Sequence, residues 1–120
     1  MKKISKIYKT FDIVVVPFPF TDTVQTKNRP AVIISSYKKF NNPTGHTILA
    51  MITSAEHNKW PLDTFITNFK TCGLLKPSLI RLKLFTLDNR LIKKKIGELA
   101  SQDKNELKKQ FSFTFQDFVL

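Results

Sequence analysis

For its first hundred residues the chain alternates short apolar segments with polar loops, and then it changes period. Residues 12–20 (Asp-Ile-Val-Val-Val-Pro-Phe-Pro-Phe) are rich in β-branched and aromatic side chains and predict a buried strand. Pro17 and Pro19 sit at alternate positions, so both missing N–H groups fall on one edge, which is expected to be unpaired or bulged. Residues 21–28 form a polar loop, and residues 30–35 predict a second strand, apolar almost throughout. Residues 38–45, with Asn41-Asn42-Pro43, predict a turn-rich loop. Residues 47–53 predict a third strand and residues 64–67 a short fourth. Along residues 78–84, Leu79, Arg81 and Lys83 alternate with Ile80, Leu82 and Leu84, a fifth strand, and a last short one is expected over residues 95–99. Beyond this point Leu107, Phe111, Phe115 and Phe118 recur at helical spacing, with Asp103 as the expected N-cap and Glu106 as its capping-box partner. Many short strands followed by one amphipathic helix predict a mainly β protein with helices, a small barrel or strongly bent sheet with a C-terminal helix.

Length changes this picture little: 120 residues make one domain, here residues 11–120 after a basic tail of residues 1–10. Charge changes it more. The formal net charge is +11, and all of it lies before Ser101, because the last twenty residues carry three basic and three acidic side chains. Such a surplus points to a polyanionic partner: nucleic acid, a membrane surface or an acidic protein. A single cysteine, Cys72, excludes an intrachain disulfide framework and fits a reducing cytoplasm. No apolar run reaches the length of a membrane span, and Asp12, Pro17 and Pro19 interrupt the stretch that would otherwise mimic a signal peptide.

Several chemistries find no support. The two histidines, His46 and His57, lie eleven residues apart, and the nine acids have no ligand-like spacing, so no metal site or cofactor is expected. Glycine occurs only at 45, 73 and 97, which excludes phosphate-binding and dinucleotide-binding loops. Cys72 reads as a packing residue rather than a nucleophile. A two-histidine ribonuclease mechanism is conceivable, but both histidines sit in polar, loop-like contexts and read as surface residues.

Three segments carry more specific information. The first is residues 12–21 with Lys27-Asn-Arg-Pro-Ala-Val-Ile-Ile-Ser35, and the second is Ile48-Leu-Ala-Met-Ile-Thr-Ser54. The third is Gly73-Leu-Leu-Lys-Pro-Ser-Leu-Ile-Arg81, continuing through Leu84-Phe-Thr-Leu-Asp88 to Leu91-Ile-Lys-Lys-Lys-Ile-Gly-Glu-Leu99. In this order they resemble the MazF/PemK family of toxin endoribonucleases from type II toxin–antitoxin modules. The resemblance implies an SH3-like barrel of the CcdB/MazF/PemK toxin fold. It also implies a cytoplasmic homodimer and a cognate antitoxin whose acidic tail competes with RNA. The implied activity is metal-independent cleavage of single-stranded RNA, in which the 2′-hydroxyl attacks the adjacent phosphate.

That chemistry needs a cation for the charge building on phosphorus, a donor that orients the phosphate, and a proton acceptor. The resemblance assigns the cation to Arg29, whose planar guanidinium can hold two phosphate oxygens at once. It assigns the donor to Thr53. Arg81 is a third candidate, since the PemK branch uses an Arg in this strand with an acid two residues on; here that position is Lys83. Thr21, Asp22, Lys27, Asn28, Ser54 and Lys83 complete the set as candidate RNA contacts. The run Lys93-Lys94-Lys95 reads as a solvated turn, with phosphate contact as the alternative. Phe11 also departs from the family, which commonly has Gly before Asp12. Two other readings stand beside the ribonuclease: a catalytically weak or inactive nucleic-acid-binding barrel, and a gyrase-directed toxin of the same fold.

Overall fold

The computed structural model describes residues 6–18 and 27–119. Its centre is one six-stranded antiparallel sheet that curls into a half-barrel, in the order β4-β5-β3-β2-β1-β6. The strands are β1 (Asp12–Pro17), β2 (Asn28–Ile33), β3 (His46–Ser54), β4 (Thr64–Phe65), β5 (Ser78–Asp88) and β6 (Lys94–Glu98). Every expected strand is present. The first ends at Pro17; Pro19, Thr21 and Asp22 lie outside the described residues.

The proline expectation is met at Pro17. The Phe18 N–H donates to Lys27 O on the β2 side, so by alternation the position of the missing Pro17 N–H faces β6. Pairing with β6 has already ended there, at Val15 opposite Lys94. The strand therefore tolerates proline without losing a ladder bond.

Both faces of the sheet are covered, which is why its strands read as nearly continuous apolar runs. Ile13, Val32, Ala50, Ile52 and Ile80 pack on one face with Ile66, Leu99 and Leu107. Val14, Val16, Ala31, Ile33 and Leu49 pack on the other with Phe18, Phe85 and Ile92. The polar–apolar alternation of residues 78–84 consequently does not sort into inside and outside: Ser78 through Arg81 are all buried. A bulge opposite Ala50 and Met51 places Leu82 and Lys83 as extra residues of β5, and this re-aims Arg81.

Two parts of the expected pattern are corrected. Residues 38–45 are not a loop: Tyr37–Asn41 form a wide helical turn and α1 (Asn42–Thr44) follows, closed by Gly45 at φ 72°. The C-terminal helix α2 spans Ser101–Thr114, with Ala100 rather than Asp103 at its N-cap. Asp103 sits inside the first turn, almost fully buried, and its carboxylate accepts hydrogen bonds from the Thr67 N–H and hydroxyl. Its charge is also favourable near the positive end of the helix dipole. The apolar helix face is used at Leu107, which is buried, and Phe111; Phe118 lies beyond the helix and is exposed.

At the far end of β5, Asp88 caps the turn Asn89–Leu91. The hydrogen bond from the Arg90 side chain holds the Asp88 carboxyl well below the usual carboxylate range.

Phe11 has φ 76°, the left-handed region that suits glycine. The sequence departure noted before Asp12 is therefore a real backbone cost. The Phe11 ring offsets part of it by lying near the Lys104 and Lys108 ammonium groups, each 5.6 Å from its centroid.

Candidate active site

The antiparallel pairing of β2 with β3 sets Ala31 opposite Met51. Carried two residues further, past the last paired positions, the same register puts Arg29 beside Thr53. These strand ends, together with residues 73–78 and β6, enclose a groove of about 580 Å³. Its apolar floor includes Val15, Ile52, Leu74 and Ile96, and its polar rim carries Arg29, Lys76 and Lys94 as cations. Gly73 is required here: a Cβ at that residue would lie 2.1 Å from Ile96 O, so only glycine lets this segment close against β6.

Of the sequence candidates, Asn28, Arg29, Thr53 and Ser54 meet in this groove. Arg29 is exposed, with its guanidinium carbon 5.7 Å from the Phe18 ring centroid, and among the described residues no carboxylate pairs with it. Thr53 is buried at the end of β3, its hydroxyl 3.0 Å from His57 Nδ1. Lys27 is exposed just before β2, outside the groove lining, and Lys83 lies on the β5 bulge, also outside it.

Arg81 is not brought to the groove. Its Nε and Nη2 meet the two oxygens of Asp63 at 3.3 and 3.0 Å, and Nη2 also donates to Asn58 O at 2.6 Å. The Trp60 ring covers the guanidinium at 4.7 Å. Both charged side chains are only 8% exposed. The carboxylate absent at position 83 is thus replaced by Asp63, and the pair fastens residues 58–63 to the sheet.

His57 is the residue that sequence reasoning set aside. Its N–H donates to Ser54 O at 3.2 Å, and the Glu56 N–H donates to Ser54 Oγ at 3.3 Å. This tight turn folds the chain back at the end of β3 and returns the imidazole to Thr53. Ser-Ala-Glu-His directly after an apolar strand carried the signal, but only as a turn, without the direction of the side chain. His46 begins β3 and His57 follows its end, so the length of the strand separates them by roughly 26 Å. A two-histidine mechanism is therefore not available. Lys94 was expected in a solvated turn; it belongs to β6 and lines the groove, while Lys95 pairs with Asp12 at 3.1 Å.

Among the described residues no group of three or more His, Cys, Asp or Glu side chains could hold a metal ion, and no helix is long and apolar enough to cross a membrane.

Residues 9–115 match the family model described as PemK-like, MazF-like toxin of type II toxin–antitoxin system. No curated protein matches the sequence. Among solved structures, the chain is similar to an endoribonuclease in complex with its cognate antitoxin from a mycobacterial species, at 12% identity and TM-score 0.72, covering 95% of this chain and 99% of that one. It is similar to the Mycobacterium tuberculosis toxin MazF-mt6, at 18% identity and TM-score 0.67, covering 88% and 96%. It is also similar to MazF in a MazE–MazF structure from Deinococcus radiodurans, at 16% identity and TM-score 0.73, covering 92% and 98%. At these identities the structural likeness speaks for the fold, the curled sheet with helices expected from the sequence.

Proposed function

The chain belongs to the PemK-like, MazF-like toxins of type II toxin–antitoxin systems, and from that premise we propose that it is a metal-independent endoribonuclease acting on single-stranded RNA. The observation that carries this reading is the meeting of Arg29 and Thr53 in one groove, a cation with no carboxylate partner among the described residues beside a hydroxyl. A scissile phosphate between them would receive two guanidinium hydrogen bonds from Arg29 and one from the Thr53 hydroxyl. As the 2′-oxygen attacks, charge accumulates on the non-bridging oxygens, and donors already fixed in place stabilise it without reorganising. Removal of one such donor typically costs ~10²–10³ in rate. The products are a 2′,3′-cyclic phosphate and a 5′-hydroxyl end.

Lys76 and Lys94 on the rim suit the phosphates flanking the cut. The same basic rim suits the acidic tail of a cognate antitoxin, which would compete with RNA for it. The mycobacterial structure is an endoribonuclease in complex with its cognate antitoxin, and the Deinococcus structure is of MazE–MazF. We place the protein in the cytoplasm as a homodimer, in which a second copy would lengthen the RNA path beyond the groove that one chain supplies.

The test is incubation of the purified protein with single-stranded RNA in excess EDTA, followed by identification of the new ends. Cyclic phosphate and 5′-hydroxyl ends support the reading. Tight, salt-dependent binding without turnover would replace it with the inactive nucleic-acid-binding barrel, and inhibition of gyrase without RNA cleavage would replace it with the gyrase-directed toxin.

A further inference from the structure

The ribonuclease reading leaves one role unassigned, the group that takes the proton of the attacking 2′-hydroxyl, and the inference here rests on that reading. Position 83 is a lysine, and Asp63 is committed to Arg81 in a pair that is 8% exposed. The described residues that line the groove include no Asp or Glu. They do include His57, and imidazole is the side chain that ordinarily accepts and releases protons near neutral pH. We propose that His57 is the proton acceptor of the cleavage step, aimed by its hydrogen bond to Thr53.

The geometry assigns each nitrogen a task. Nδ1 lies 3.0 Å from Thr53 Oγ1. We place the ring proton on Nδ1, because Nδ1 then donates to Thr53 Oγ1 and the threonine hydrogen remains free to donate to a phosphate oxygen. Nε2 keeps its lone pair. That lone pair takes the 2′-hydroxyl proton as the 2′-oxygen bonds to phosphorus. The bond from phosphorus to the 5′-oxygen breaks, its electron pair leaves on that oxygen, and the oxygen takes a proton from water. The imidazolium returns its proton to the hydroxide so formed, and both groups are ready for another substrate.

The loop that carries His57 is held from both sides. The turn on Ser54 fixes its start, and Arg81, bonded to Asn58 O one residue later, fixes its continuation. Arg81 is thereby a positioning residue rather than a group that touches RNA. A ring held this way loses little entropy on reaching the transition state, which is what general-base catalysis requires of it.

The experiment compares single-turnover cleavage by the wild-type protein and by His57→Asn, on an ordinary RNA and on one whose 5′-bridging oxygen at the cut is sulfur. Asparagine can still donate to Thr53 Oγ1 but has no basic nitrogen, so it preserves positioning and removes proton transfer. Sulfur leaves without protonation, so the second substrate responds to loss of a base and not to loss of an acid. The expected result is a loss of at least ~10²-fold on both substrates, with unchanged binding of a 2′-deoxy analogue. Cleavage by His57→Asn at the wild-type rate overturns the proposal, as does full recovery on the sulfur substrate, which would make His57 the acid. If the wild-type protein cuts neither substrate, the ribonuclease reading itself fails and this proposal falls with it.

Discussion

Arg81 and Asp63 meet side-on, Nε to Oδ1 and Nη2 to Oδ2, eighteen residues apart in sequence and almost out of reach of water. An arginine that sequence reasoning counts among catalytic candidates is therefore engaged in holding a loop. Removing one partner strands a buried charge, so Arg81→Met or Asp63→Asn alone should lower the unfolding free energy by about 3–5 kcal/mol. The double variant should lose clearly less than the sum of the two. Urea denaturation of the four proteins measures this, and additive losses would contradict the pairing.

Thr53 stands apart from that pair, because its partner His57 is exposed and loses no buried contact when the hydroxyl goes. Thr53→Val keeps the β-branched shape and deletes the hydroxyl, both as donor to the phosphate and as acceptor of the His57 bond. Cleavage should fall by ~10²-fold, while stability should change by no more than about 1 kcal/mol. A valine variant that cuts at the wild-type rate would remove Thr53 from the reaction.

Lys76 and Lys94 are assigned to flanking phosphates, and salt reads that assignment. For single strands the logarithm of the binding constant falls with the logarithm of salt concentration by about 0.7 per phosphate contacted. Lys76→Ala and Lys94→Ala should each flatten the slope by about that amount, measured with an RNA blocked at the cut by a 2′-deoxy sugar. Lys108→Ala, on α2 and outside the groove lining, should leave the slope unchanged.

Phe11 provides a backbone prediction. Both Phe11→Ala and Phe11→Gly lose the ring, but only glycine relieves φ 76°. The glycine variant should be more stable than the alanine variant by about 1 kcal/mol. Equal thermal midpoints would show that residue 11 is not held in the left-handed region.

How much of this the sequence disclosed follows from where the information lies. The strands were legible because β-branched runs buried on both faces have no other home, and Pro17 marked the edge where pairing with β6 stops. Arg29 and Thr53 were legible through family motifs, and the β2–β3 register explains why residues 24 apart meet. Asp103 was misplaced because a carboxylate three residues before Glu106 satisfies a capping pattern, whereas its true partner, Thr67, is reached only across the fold. The Arg81–Asp63 pair was not legible for a similar reason: alternation gives a side chain a face, but not the bulge at Leu82 and Lys83 or the loop carrying Asp63. His57 was set aside because a turn of four residues decides whether an imidazole points to water or back to its own strand.

The measurement that bears most directly on the whole account is the single-turnover rate of RNA cleavage, in EDTA, by wild-type protein, Arg29→Lys and Arg29→Ala. The account predicts cyclic-phosphate products from the wild type. It predicts a loss of ~10²–10³-fold for Arg29→Ala, with Arg29→Lys in between because an ammonium cannot hold two phosphate oxygens in one plane. Cleavage by Arg29→Ala at the wild-type rate would contradict it.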